Sequence, residues 1–240
     1  MCTVVVRVPE DADGPVHLLA IRDEDPARPW RPLGRWWPQH PAVIGVQDQL
    51  AGGAWLAAEG SRLAVLLNRE GAPPLPPEQI TSRGAVVLDA VGGHRPLGAL
   101  SSRGFNLVTV EGAEVTITVW DGKELSHRTL PPGTHMIAHD EADDPATARI
   151  KTWLPRFART QLPDSDEWWT PWTAVLARSA VIKPTDDRAI VRDNRPWGYP
   201  TQSLLACVAR VNGHGSEVHY AQLEHAGEWN PLRFAAAIAT

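Results

Sequence analysis

The chain begins Met1-Cys2-Thr3 and continues Val4-Val5-Val6. A cysteine in second place can join nucleophile and base on one residue. The initiator methionine is normally trimmed when the next residue is small, as cysteine is. The new terminus then carries a thiol of pKa about 8.5 beside an α-amine of pKa about 7.7–8.0. The amine can take the thiol proton while the thiolate attacks a carbonyl, the terminal-amine version of the triad logic. The plainer reading is a small apolar residue that starts a strand.

Two further stretches offer the groups such chemistry needs. "LLAIRDED" sets Arg22 and Asp23 at the end of the strand expected to pair with the first, and "RLAVLLNREG" sets Asn68 at the end of another apolar run. An arginine binds a substrate carboxylate or holds a thiolate by charge; an aspartate orients an amine; an asparagine amide donates to an oxyanion. The alternatives are a surface ion pair for Arg22 and Asp23 and a turn residue for Asn68.

The elements that must position these residues follow from pattern and punctuation. "CTVVVRV" and "VHLLAIR" flank the turn-rich "PEDADGP" and read as a hairpin. "PARPWRPLGRWWPQHP" holds five prolines and reads as an irregular rim loop. "GGAWLAAEGSRLAVLLN" is a second hairpin, and "PLPPEQITSRGAVVLDAVGG" a Pro-rich loop followed by a helix ending at Gly92. "FNLVTVEGAEVTITVWDGKELSHRTL" reads as three meandering strands with Glu-Gly and Asp-Gly turns, and "PPGTHMIAH" as one more strand. A helix is expected from Asp144 as N-cap with Pro145 at its first position, and another in "DSDEWWTPWTAVLARSA" capped by Asp164 or Ser165. "LLACVARVNG" and "SEVHYAQLE" close as a final hairpin. Helices between many hairpins point to an α+β fold with mostly antiparallel sheets. The best linker candidate, Pro131 to Gly133, is too short to part domains, so residues 1–240 read as a single domain.

Composition narrows the function classes. A net charge of -5 and a pI near 6.0 argue against nucleic-acid and anionic-membrane partners. No run approaches the roughly 20 apolar residues of a membrane span, and the first 25 residues lack the form of a signal peptide. A cytoplasmic protein without membrane insertion is expected. Two cysteines, Cys2 and Cys207, do not make a zinc site or a disulfide framework. His135 and His139 have a His-x3-His spacing, but a strand running into a loop does not bring such a pair together. No metal is expected. His214 and His219 flank a glycine turn and read as surface residues. Among eleven tryptophans, Trp36, Trp37, Trp168, Trp169 and Trp172 fall in loops or helix starts. They either fill core and rim or line an apolar cleft for a flat or lipid-like ligand.

In order and spacing, "MCT", "LAIRDED", "GGAWLAAEGSRLAVLLN", "RGFNLVTV", "LPPGTHMIAH" and the closing "LEHAGEWNPLRF" resemble the NRDE family, also called the transport-and-Golgi-organisation family. That family is similar in turn to Cys-type N-terminal-nucleophile (Ntn) hydrolases. The resemblance implies a four-layer αββα sandwich, with Cys2 as nucleophile, Arg22 and Asp23 as the Arg-Asp of the signature, and Asn68 as the oxyanion donor. Three positions depart from the family pattern. Ile21 replaces the signature Asn, His139 stands where an Asn is usual, and Gln202 stands where an Arg is usual. His139 is then a candidate hydrogen-bond donor or acid/base.

The expected function is amide hydrolysis or acyl transfer on a small-molecule substrate through a Cys2 thioester. Trp36, Trp37, Trp55 and Gln202 are its candidate substrate contacts, and no cofactor is needed. The alternative is a non-catalytic carrier or chaperone of haem or lipid, with haem as a possible ligand. Oligomeric state is left open.

Overall fold

The computed structural model describes residues 2–240. In chain order the strands are β1 (Thr3–Val8), β2 (Val16–Glu24), β3 (Trp30–Gly34), β4 (Ile44–Asp48), β5 (Ala54–Glu59) and β6 (Arg62–Asn68). Then come β7 (Phe105–Glu111), β8 (Glu114–Trp120), β9 (Leu125–Thr129) and β10 (Gly133–Ile137), followed by β11 (Gln202–Asn212), β12 (Gly215–Gln222) and β13 (Ile238–Ala239). The helices are α1 (Gly84–Val91), α2 (Ala148–Arg159) and α3 (Thr170–Ser179). A six-stranded sheet runs β10-β1-β2-β11-β12-β13 and a seven-stranded sheet runs β3-β4-β5-β6-β7-β8-β9. Every strand pair is antiparallel.

Side-chain alternation explains the layering. In β1, Val4, Val6 and Val8 join Val16, Leu18 and Ala20 of β2 in a core shared with Leu56, Leu63, Val65 and Val108 of the second sheet. Val5, Leu19 and Ile21 point the other way, onto Ile150, Trp153 and Phe157 of α2 and Trp172, Val175 and Leu176 of α3. On the outer face of the second sheet, Ala57, Ala64, Leu66 and Leu107 pack against Val87, Ala90 and Val91 of α1. Three apolar cores separate four layers, which makes an α+β sandwich with helices outside two antiparallel sheets. With both faces of β1 covered, "VVV" is uninterrupted by polar residues.

Several expectations need correction. The Pro-rich segment at 26–41 contains β3, an edge strand whose register shifts between Arg31 and Gly34 around Pro32; an edge and an irregularity are where a strand tolerates proline. Strand β4 had no pattern strong enough to announce it. Helix α2 starts at Ala148, not at Pro145: Asp144 Oδ1 accepts from the Ala146 N–H at 2.8 Å, closing a turn ahead of the helix. Helix α3 starts at Thr170 after a turn in which the Trp168 N–H bonds Ser165 O, so neither Asp164 nor Ser165 caps it. His219 is buried between Glu217, Ala235 O and the Trp169 ring, while His214 is exposed as expected.

Candidate active site

Thr3 of β1 pairs with Ile21 of β2, so Cys2 lies beside the Arg22-Asp23 end of that strand. The Asp23 N–H donates to Cys2 Sγ at 3.4 Å, and the thiol faces Asp23 O at 3.6 Å. Alternation sends Arg22 into the space between the sheets with Cys2, and Ile21 to the helix side. Opposite, β11 breaks register between Ser203 and Leu205, so Ser203 is the partner of Asp23. The Ser203 hydroxyl donates to Asp23 Oδ1 at 2.6 Å while accepting from the Arg192 N–H at 2.8 Å. A longer contact, 3.5 Å, joins Asn194 Nδ2 to Asp23 Oδ2.

These groups open on a cavity of about 410 Å3, lined by Cys2, Arg22, Asp23, Trp55 and Asn68 among others. One wall comes from the first sheet. Another comes from the ends of β5 and β6, and the loop running into α1 supplies a third. Asn68 lies on the same side of β6 as Leu66, the side facing α1, so the cavity curves round the end of that strand to reach it. Four residues chosen from sequence thus share one void: Cys2, Arg22, Asp23 and Asn68. Trp55 lines it too, and its buried Nε1 has no hydrogen-bond partner among the described residues.

Electrostatics hold the thiol in its neutral form. Burial pushes the Cys2 pKa up, and the negative charge of Asp23 adds to that, while Arg22 pulls the other way. Arg22 is 2 % exposed and meets Glu24 Oε2 at 3.6 Å. Its Nη1 is buried without a hydrogen-bond partner among the described residues. Cys207 lies in the middle of β11, fully buried, with its thiol displaced far above the usual range.

The other sequence candidates lie elsewhere. His139 lines a second cavity of about 340 Å3 with Arg149 and Arg192. Its Nδ1 accepts from Arg149 Nη2 at 3.3 Å and its Nε2 meets Asp140 Oδ2 at 3.1 Å. Burial, then Arg149, pushes its pKa down to about 4. The ring is neutral at pH 7 and is linked to Thr3 through Arg149, whose Nη1 donates to Thr3 Oγ1 at 3.0 Å. Trp37 sits in the α1 core and donates to Gly52 O, and Trp36 donates to Pro32 O beneath Arg31. Gln202 donates to Ala226 O at 3.0 Å. None of these four lines the Cys2 cavity. Met1 lies outside the described residues, and with it any statement about its removal.

Sequence reasoning missed Ser203, Asn194 and Arg192 behind Asp23, and Arg28, Asp48, Arg83 and Arg103 in the cavity wall. Ser203 reaches Asp23 by a sheet pairing 180 residues distant in sequence, and Arg192 and Asn194 follow from the loop that precedes β11, which no local pattern announces. Among the described residues, no group of His, Cys, Asp and Glu could hold a metal ion. No described helix is long and apolar enough to cross a membrane.

Fold and site together define an α+β sandwich with a cysteine at the head of its first strand, facing a polar cavity where the two sheets meet. The family model Transport and Golgi organisation 2 matches residues 1–215, and the chain belongs to that family. The match ends at the first residue of β12. No curated protein matches the sequence.

Proposed function

We propose that the chain is an N-terminal-cysteine amidohydrolase or acyltransferase. The observation that carries this reading is the shared cavity of Cys2, Arg22, Asp23 and Asn68. A buried thiol with a raised pKa does not ionise unaided at neutral pH. It requires a base, and removal of Met1 supplies one on the same residue. In the proposed cycle the α-amine of Cys2, directly or through water, takes the thiol proton. Sulfur then bonds to the carbonyl carbon. Asn68 and a backbone N–H stabilise the oxyanion, each such donor being worth about 2.7–4 kcal/mol. The oxyanion collapses, the C–N bond breaks, and the amine leaves with the proton held by the α-amine. Water or an acceptor amine or hydroxyl resolves the thioester and restores the thiol. Asp23, fixed by Ser203, orients the amine, and Arg22 favours the thiolate.

The carrier reading depends on a tryptophan-lined cleft. Trp168 and Trp172 belong to the α3 core and Trp37 to the α1 core. The cavity instead presents mostly charged and polar side chains, which favours a polar substrate.

The test is turnover of a panel of amides and thioesters by wild type and Cys2→Ala, with mass spectrometry for an adduct on Cys2. Wild type is expected to turn over at least one substrate through that adduct, and Cys2→Ala to lose both while keeping its melting temperature. Undiminished turnover by Cys2→Ala sinks the proposal.

A further inference from the structure

The wall of the Cys2 cavity carries four arginines, Arg22, Arg28, Arg83 and Arg103, against three acids, Asp23, Glu24 and Asp48. Those acids are already engaged. Asp48 Oδ2 takes Arg28 Nε at 2.7 Å, Glu24 takes Arg22 at 3.6 Å, and Asp23 takes Ser203. Arg83 and Arg103 have no acid within ion-pair distance among the described residues; Arg83 Nη1 donates to Gly104 O at 3.0 Å. The cavity therefore keeps a positive excess in a protein whose net charge is -5.

That excess is built in. Thr81 and Ser102 form a bridge, the Thr81 N–H bonds Ser101 O at 3.1 Å, and the two side-chain hydroxyls of Thr81 and Ser101 meet at 2.9 Å. The loops bearing Arg83 and Arg103 are thereby tied together. Helix α1 begins at Gly84 on the same wall, and its N-cap Arg83 provides no side-chain cap, so the positive end of the helix adds to the field. Arg22 adds a further guanidinium to the same wall, its Nη1 buried without a hydrogen-bond partner among the described residues. Burial lowers the proton affinity of Arg83, while Glu24 and the Cys2 sulfur, when ionised, attract its charge and Arg103 and Arg28 repel it. The guanidinium and the thiol line the same cavity.

We infer that the substrate attacked by Cys2 carries an anionic group, a carboxylate or a phosphate, which Arg83 and Arg103 recognise at the rim of the cavity. The inference rests on the nucleophile reading for its chemistry, yet it is testable without turnover.

Iodoacetate and iodoacetamide both alkylate a thiolate, forming a C–S bond and expelling iodide. They are similar in size and differ in charge. The experiment measures both rates on Cys2 by peptide mass spectrometry, divided by the rates on N-acetylcysteine. The expected result is a normalised preference for iodoacetate of about tenfold, the lower end of what field focusing in a charged cleft provides. In Arg103→Gln, an exposed residue, and in Arg83→Gln/Arg103→Gln, the ratio of the iodoacetate rate to the iodoacetamide rate is expected to shrink, whatever common change in thiol ionisation both reagents report. Slowing of iodoacetamide labelling by glutarate assigns the carboxylate, and slowing by inorganic phosphate assigns the phosphate. Equal normalised rates in wild type overturn the inference, as does a preference that survives both variants. A Cys2→Ala enzyme with full turnover would instead remove the nucleophile reading and leave the alkylation result standing.

Discussion

Cys2 and Asp23 work against each other in one respect and together in another. The carboxylate raises the thiol pKa, yet it is also held in place by a buried serine, Ser203, at 2.6 Å. Replacing it with the isosteric amide should remove the charge and spare the shape. In Asp23→Asn the acid limb of the kcat/KM profile is expected to move to lower pH, because the Asp23 charge that opposes loss of the catalytic proton is then gone. A profile that lowers kcat without moving would place Asp23 in structure alone. Asn68→Ala is expected to lower kcat by about 10²–10³ with little change in stability, as loss of an oxyanion donor does. Steady-state kinetics and a thermal melt check both halves. At this scale the sequence was informative where chemistry and position coincide, at Cys2, Arg22, Asp23 and Asn68. It was silent where a role is created by packing: Ser203 looks like any strand serine until the register break in β11 turns it onto Asp23.

Among the elements, the two loops that frame the cavity depend on a close approach of two glycines. A Cβ on Gly53 would lie 2.4 Å from the Gly84 carbonyl carbon, and one on Gly84 would lie 2.9 Å from the Gly53 Cα. Gly53→Ala is expected to cost about 1–3 kcal/mol and to displace the start of α1, with Arg83 ahead of it. Denaturant melts give the first effect, and loss of the iodoacetate preference gives the second. Arg7 of β1 plays a similar part for α2. Its Nη1 and Nη2 donate to Thr160 O and Phe157 O at 2.9 and 2.8 Å, and its Nε to Thr134 Oγ1 at 2.8 Å, closing the C-terminal end of the helix onto the sheet. The hairpins were readable because alternation and Glu-Gly or Asp-Gly turns are local signals. Strand β3 was not, since only its place at a sheet edge makes Pro32 acceptable. The start of α2 was misread because Asp144 makes its turn before the helix, while Thr147, the true N-cap, spends its hydroxyl on Asp140 at 2.9 Å.

For the whole molecule, layering half-buries two histidines, His17 and His139, that resist protonation, while buried His135, bonded to Asp143, takes its proton more readily. His17 packs against Trp168, and burial, then Arg210 and Arg7, pushes its pKa down to about 4. The native state therefore binds that proton less readily than the unfolded chain, whose histidine titrates near 6.5. Its contribution to stability is complete above pH 6.5 and is lost progressively as pH falls towards 4. His139 has the same sign over the same window. The melting temperature should fall across that interval, and fall less in His17→Phe, which keeps a ring against Trp168; an identical fall in the variant would remove His17 from the account. The four-layer order itself followed from the family resemblance alone, whereas the partners of each sheet edge came only from the structure. The most direct test of the central claim is the intact mass of the purified protein. The account predicts a chain lighter than the translated sequence by one methionine, beginning at Cys2 with a free amine. A catalytically active preparation that retains Met1 throughout would contradict it.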